Sequence, residues 1–370
     1  MKDLRERSWA EISVGNMVYN MERLREALPA GTRFLGVVKA DAYGHGAVEA
    51  ARALEAHGAD YLAVAAADEA LELRDAGVEL PILILGPVFP ARVPELAARD
   101  VTLAVGGMET ARAYSAQAKD SGNTLRVHIK IDTGMSRTGF AWTDVSEIAA
   151  ACRLPGMEAE GVFTHFARSD EKSTAAEERT REQYRRFTGA LDALAEQGLR
   201  FSLRHCANSG GTLFYPELTA MDMVRPGIAL YGYGDESGKL GLRPCMRLMS
   251  RIALVKTYPA GTPVSYGGTF VTQRETRLGV IPIGYADGLH RCISGKCAFY
   301  VEGRGFAPQR GRICMDMCML DLTELPEARA GDTVELFGRH ARLEAMAQAA
   351  GTITYELLCA VSKRVPRIFV

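Results

Sequence analysis

The sequence predicts an α/β chain, with an N-terminal (β/α)8 TIM-like barrel over residues 14–240 and a mostly β domain over residues 241–370. Three observations carry this prediction. Short apolar, β-rich runs recur eight times before Gly241, and Ala/Glu/Arg/Leu-rich segments of helical character lie between most of them. Past Gly241 that alternation stops, and short alternating runs separated by Gly and Pro take over, as in "RIALVKTYPAGTPVSYGG" and "TRLGVIPIGYADG". Eightfold repetition of strand and helix favours a closed parallel barrel over an open sheet, and the span matches the ~200–250 residues that such barrels occupy.

In chain order the strand candidates are Arg33–Lys39, Tyr61–Ala65, Pro81–Gly86, Val101–Val105, Arg126–Asp132, Gly161–His165, Phe201–Cys206 and Val224–Tyr231. The clearest helical segments are Ala47–Ala56, Ala66–Ala76, Thr110–Lys119 and Ala176–Gln197. "GYGDESGKLGLRP", Gly232–Pro244, is the linker candidate. Leu343–Ala350 is the one helical patch expected in the second domain, which the N-terminal segment 1–13 is expected to join.

With 47% hydrophobic and 24% charged residues the composition is that of a globular protein. A formal net charge of -1 supplies no field to recruit nucleic acid or an anionic membrane, and no apolar run approaches the ~20 residues of a membrane span. "MKDLRER" is charged with no apolar core behind it, so a signal peptide is not expected and a cytoplasmic location is. Eight cysteines in a chain this long do not suggest a disulfide framework. The pairs Cys292/Cys297 and Cys314/Cys318 lack the C-x2-C spacing of a zinc knuckle and read as reduced thiols, with no metal.

The chemistry begins in "GVVKADAYGHG", Gly36–Gly46, where an apolar run ends on Lys39. The C-terminal ends of barrel strands carry the working residues. Partial desolvation there lowers a lysine from its usual ~10.4 and yields a nucleophilic amine, suited to a Schiff base with a carbonyl or with pyridoxal phosphate. A surface lysine is the competing reading, so a phosphate site is needed beside it. Barrels often hold phosphate in the loops after the last two strands, and here those loops read "HCANSGGT", His205–Thr212, and "RPGI", Arg225–Ile228. Ser209 offers a hydroxyl, and the glycines let backbone N–H groups approach an anion closely; a plain helix cap is the competing reading for the first loop.

"VVKADAYGHG", "HIKIDTGMSRTG", "THFARSDE", "RHCANSGGTL", "VRPGIALYG", "VSYGGT", "GYADG", "GRICMDM" and "GTITYELLCAVSKRVPR" resemble the successive motifs of bacterial alanine racemase, in the family's order and spacing over essentially the whole chain. The resemblance implies pyridoxal 5'-phosphate on Lys39, a head-to-tail homodimer with shared active sites, and interconversion of L- and D-alanine to supply peptidoglycan. It further implies that Tyr43, Ser209, Gly227, Ile228 and Tyr355 hold the phosphate with Asn208 beside it, and that Arg225, held by His205, faces the pyridine nitrogen. His165 would lie at the cofactor as well. Tyr266 would be the second catalytic base, reaching in from the other copy, with Met315 and Asp316 near it. Lys130 and Arg137 match a pair in which a carbamylated lysine orients the arginine toward the substrate carboxylate, although a lysine in "VHIKID" could equally pair with Asp132 or Glu160. Asp170, Tyr285, Arg291 and Arg312 match the substrate-access corridor.

Racemisation requires the α proton to leave one face and return to the other, so two bases must flank the carbon. Lys39 would serve the face of the D isomer and Tyr266 that of the L isomer. Lowering a tyrosine from ~10 by two or three units takes roughly 3–4 kcal/mol, for which Arg137 and His165 are the expected sources. Arg225 has only donors, so a ring nitrogen facing it stays unprotonated. A decarboxylase of similar fold would have an acidic residue there and no "SYGGT" tyrosine, and a single-barrel vitamin B6 carrier would lack the β domain and the second base. A racemase preferring serine or another small amino acid is the alternative, against which the apolar Met315 favours alanine.

Overall fold

The computed structural model describes residues 5–219, 221–235 and 238–370. Two compact units form: one of Met17–Ala42 and Ala47–Arg243, the other of the N-terminal segment through Asn16, Tyr43–Gly46 and Pro244–Val370. Within the linker candidate, Glu236 and Ser237 lie outside the described residues.

The first unit is a parallel barrel with the strand order Met223–Val224, Arg33–Val37, Tyr61–Val64, Ile82–Ile84, Val101–Val105, Leu125–Asp132, Met157–Phe163 and Leu203–His205. Backbone bonds from Asp222 N to Arg204 O (3.1 Å) and from Arg225 N to Ala207 O (2.9 Å) bring the two end strands together. Tyr61–Val64 and Ile82–Ile84 are buried at every position, because helices cover one face and the barrel interior fills the other. That double burial is why the runs are continuously apolar rather than alternating. The longest helix, Thr174–Glu196, buries Ala176, Thr180, Gln183, Phe187, Ala190 and Leu194, a stripe at three- and four-residue spacing. Ser173 Oγ caps its start by accepting from Ala176 N at 3.2 Å.

Several strand boundaries depart from the sequence pattern, Pro81–Gly86 and Phe201–Cys206 shortening to Ile82–Ile84 and Leu203–His205, and three have evident physical reasons. The first strand stops at Val37, two residues short of Lys39, because the backbone turns left-handed after it. The last stops at Val224, since Pro226 has no N–H for a ladder and the chain passes into a 3-10 turn, Ile228–Tyr231. The sixth starts at Met157, where Met157–Glu160 pair like a strand but are not fully buried and so carry no apolar signal.

The second unit is built on a nine-stranded sheet. In it Ser8–Ile12 pairs antiparallel with Met246–Arg251 and parallel with Arg367–Phe369. Arg7 donates to both carboxylate oxygens of the fully buried Asp287 (2.8 and 2.7 Å), which anchors the turn Tyr285–Asp287. The helix Leu343–Ala350 matches the expected patch, and a second, Thr354–Ala360, lies in "TYELLCA", too short for helical periodicity to stand out. Among the described residues no helix is long and apolar enough to cross a membrane, and no group of His, Cys, Asp and Glu is arranged to hold a metal ion. Among the described residues the cysteines form no disulfide.

Candidate active site

Lys39 begins a turn in which Ala40, Asp41, Ala42 and Tyr43 all have φ between 52° and 54°. Four consecutive non-glycine residues in the left-handed region are costly, at roughly 1–2 kcal/mol each. Such strain persists only where the surroundings over-determine it. Here Ala40 N donates to Glu69 Oε1 (2.6 Å), Ala47 N to Asp41 Oδ1 (2.8 Å) and Ala42 N to Val38 O (2.9 Å). Sequence reasoning missed this turn, since nothing in "KADAY" signals positive φ.

Around the barrel mouth the structure gathers Lys39, Lys130, Arg137, His165 and Arg225. Burial, and then Arg137 and Arg225, push the Lys130 amine down to about 8. Burial holds His165 well below its ordinary value, with Arg225, Arg137, Lys130 and Lys39 adding to the effect. Asp132, the carboxylate that acts on Lys130, is occupied by its own loop, accepting from the backbone N–H of Gly134, Met135, Ser136 and Arg137 at 2.8–3.2 Å. Lys130 pairs with neither of the carboxylates the sequence offered. Its Nζ donates to Thr138 Oγ1 at 2.5 Å, and Glu160 lies against His128. Thr138 and His128 are residues that sequence reasoning did not pick out.

Arg225 is 3% exposed and has three neutral acceptors: His205 Nδ1 (2.8 Å), Thr164 O (2.8 Å) and Cys206 O (3.2 Å). Burial pushes its guanidinium down to about 10, so it stays charged at neutral pH. The rings of Phe163 and His205 stack with centroids 5.0 Å apart and 4° between planes, and Arg225 lies 5.3 Å from the Phe163 centroid.

The loops after the last two strands meet at Ser209. Its Oγ accepts from Gly227 N (2.9 Å) and Ala229 N (3.3 Å), while Asn208 Oδ1 accepts from Gly211 N (2.9 Å) and from Ser169 Oγ (2.7 Å). Asn208 thus caps the short helix Ser209–Phe214, as the competing reading had it, and ties it to the loop that bears Asp170. Gly210 is obligatory: a Cβ there would sit 2.6–2.7 Å from backbone atoms of Ser169 and Asp170.

In the second unit the Tyr43 and Tyr355 rings lie 6.0 Å apart. Burial, followed by Tyr355, pushes the Tyr43 phenol up, so it remains a neutral hydrogen-bond donor. Tyr266 sits in the turn of the hairpin formed by Pro263–Val264 and Phe270–Val271, after Ser265 at φ 63° and before two glycines with positive φ. It is 69% exposed, on the rim of a hollow of about 540 Å³ that Val264, Cys314, Met315, Asp316, Met317 and Met319 also line. Arg312 lies over Gly267, and Ser265 Oγ donates to Arg312 O at 2.7 Å. Backbone bonds from Tyr285 N to Cys314 O and from Ala286 N to Met315 O (both 3.0 Å) join the "GYADG" turn to the Met315 loop. Asp316 is engaged by Arg364 at 2.7 Å, and Arg291 is exposed.

The fold is thus a parallel barrel with an amine and a guanidinium at its mouth, followed by a β domain with an exposed phenol. The models of the alanine racemase N-terminal and C-terminal domains match residues 12–235 and 245–369. The chain is 46% identical to alanine racemase of Desulfovibrio desulfuricans over 98% of each chain, and 44% identical to that of Desulforamulus reducens over 99% of this chain and 100% of the relative. Among solved structures it is similar to alanine racemase of Clostridium difficile 630, with a TM-score of 0.93 and 38% identity over 98% and 96% of the two chains. It is similar also to the Bacillus anthracis enzyme with bound L-Ala-P, with a TM-score of 0.91 and 34% identity over 99% and 95%. The chain belongs to the alanine racemase family and is an isomerase acting on alanine.

Proposed function

We propose that the barrel mouth holds pyridoxal 5'-phosphate on Lys39 and that Tyr266 of a second copy completes the site, giving a two-base exchange of the α proton of alanine. The observation that carries this reading is the concentration of cationic side chains, Lys39, Lys130, Arg137 and Arg225, around the buried His165, a field that favours an anionic ligand. The donor set suits that cofactor. Ser209 with the N–H groups of Gly227 and Ala229, beside Asn208 and Ile228, forms a cradle for a phosphate. Arg225 offers only donors, and so accepts a pyridine nitrogen only in its unprotonated state.

When bound, the cofactor supplies the electron withdrawal that acidifies the α C–H of alanine. Lys39 Nζ takes or returns that proton on the face of the D isomer, and the Tyr266 phenol does so on the face of the L isomer. Arg137 binds the substrate carboxylate. Lys130, with its lowered proton affinity, is a candidate for carbamylation, which would replace a cation by an anion that steadies Arg137. His165 lies beside the cofactor. Asp170, Tyr285, Arg291 and Arg312 line the way in, with Met315 and Asp316 at the inner end. The exposed apolar rim of the Tyr266 hollow, where Met315 is 52% and Met317 46% exposed, favours a homodimer that covers it. The reading includes a cytoplasmic setting and a role in supplying D-alanine for peptidoglycan.

The test mixes two inactive variants, Lys39→Ala and Tyr266→Phe. If the phenol comes from the other copy, each heterodimer regains one intact site and racemase activity returns on mixing. Activity that stays absent after proven subunit exchange refutes the shared site.

A further inference from the structure

Arg225 Nη1 can only donate, so the His205 Nδ1 that lies 2.8 Å from it carries no proton. His205 is buried and held neutral by that burial and by Arg225, which leaves its single proton on Nε2. His205 Nε2 lies 2.8 Å from His128 Nδ1, which must therefore accept, and the proton of His128 goes to its own Nε2. That nitrogen faces Glu160 Oε2 at 3.6 Å, too long for a hydrogen bond but close enough for a carboxylate to favour a proton there. The direction of every proton in the row Arg225, His205, His128, Glu160 is thus determined. Reversing His128 would reverse His205 and set an N–H against the Arg225 N–H.

Two backbone features exist to make this row. Strand pairing runs Val127 with Ala159 and then His128 with Gly161, so Glu160 is the extra residue of a bulge. Gly161 lets the imidazole lie against the backbone, since a Cβ there would sit 2.7 Å from Cγ, Cδ2 and Cε1 of His128. Tyr61 Oη donates to Glu160 Oε2 at 3.3 Å and so holds the carboxylate in place.

We propose that His128, biased by Glu160 and seated on Gly161, is a positioning residue of the racemase. It accepts the His205 Nε2 proton and so holds the imidazole where its Nδ1 orients Arg225. This rests on the reading of Arg225 as the group that faces the pyridine nitrogen.

The test compares His128→Leu, which removes the acceptor, with His128→Asn, whose Oδ1 falls where Nδ1 lies. Ring-15N histidine is observed by long-range NMR in the full-length protein, and racemase kinetics are measured in parallel. In the parent, His205 and His128 should both show the Nε2–H tautomer. His128→Leu should leave the His205 Nε2–H without its acceptor, moving that 15N–1H signal, and lower kcat by on the order of tenfold or more with little change in KM, while His128→Asn restores both the signal and the rate. A parent His205 protonated at Nδ1, or equal losses in both variants with the His205 Nε2–H signal unmoved, overturns the proposal. Intact tautomers in a parent that does not racemise alanine would overturn the functional reading instead.

Discussion

Replacing Lys130 by methionine removes an amine that the fold holds against its preference for a proton. The residue is 6% exposed, and its pKa falls from 10.5 to about 8, through burial first and then Arg137 and Arg225. Between those values the unfolded chain binds more protons at this position than the folded chain, so the residue's contribution to stability rises with pH across the window. Below about pH 8 the lysine costs the fold the whole difference, about 3 kcal/mol, and above about 10.5 it costs nothing. Methionine keeps the length and apolar stem but loses the bond to Thr138 Oγ1, a loss of about 1 kcal/mol. Lys130→Met should therefore be more stable than the parent by about 2 kcal/mol at pH 7, and the advantage should shrink and reverse as pH approaches 10.5. Urea unfolding of both chains in buffers stripped of carbon dioxide measures this. An advantage independent of pH would refute the depressed amine. Adding bicarbonate should stabilise the parent alone, with one carbamate resonance under carbon-13 label that the variant lacks. A parent without that resonance would refute carbamylation.

Gly210→Ala drives a Cβ into the Ser169–Asp170 backbone, so it should cost about 1–3 kcal/mol in chemical denaturation and loosen retention of pyridoxal phosphate in equilibrium dialysis. Stability and retention equal to the parent's would remove the cradle from that loop. Tyr266→Phe should lower racemisation by about 10²–10⁴-fold while the α proton of D-alanine still exchanges with deuterated solvent through Lys39; proton NMR shows the exchange, and its loss would count against separate bases. Lys39→Ala should lack the borohydride-sensitive absorbance that the parent carries, and a chromophore that survives would place the attachment elsewhere.

The parallel barrel was legible because burial on both faces demands continuous apolar runs, as in Tyr61–Val64 and Ile82–Ile84, and because Ala-rich segments such as Ala47–Ala56 alternate with them. Lys39, Ser209 and Arg225 were legible because barrel chemistry sits at strand ends and in the loops after the last strands. Where elements are defined by partners rather than by composition, the sequence was weaker. Met157–Glu160 pairs as a strand without apolar character, and Thr354–Ala360 is a helix of less than two full turns.

Local chemistry in the sequence thus determined which residue types stand at the barrel mouth and where along the chain they lie. Tertiary structure alone decided their electrical and protonic states. The left-handed turn at Ala40–Tyr43 depends on bonds to Glu69 and Asp41 that no propensity encodes. The lowered amine of Lys130 depends first on burial and then on charges from other strands and loops, since desolvation and Coulomb effects act through space and not along the chain. The proton order from Arg225 to Glu160 depends on three strands, the residue just past a fourth, a bulge and a bare Cα. Hydrogen bonds acquire direction only when both partners are in place.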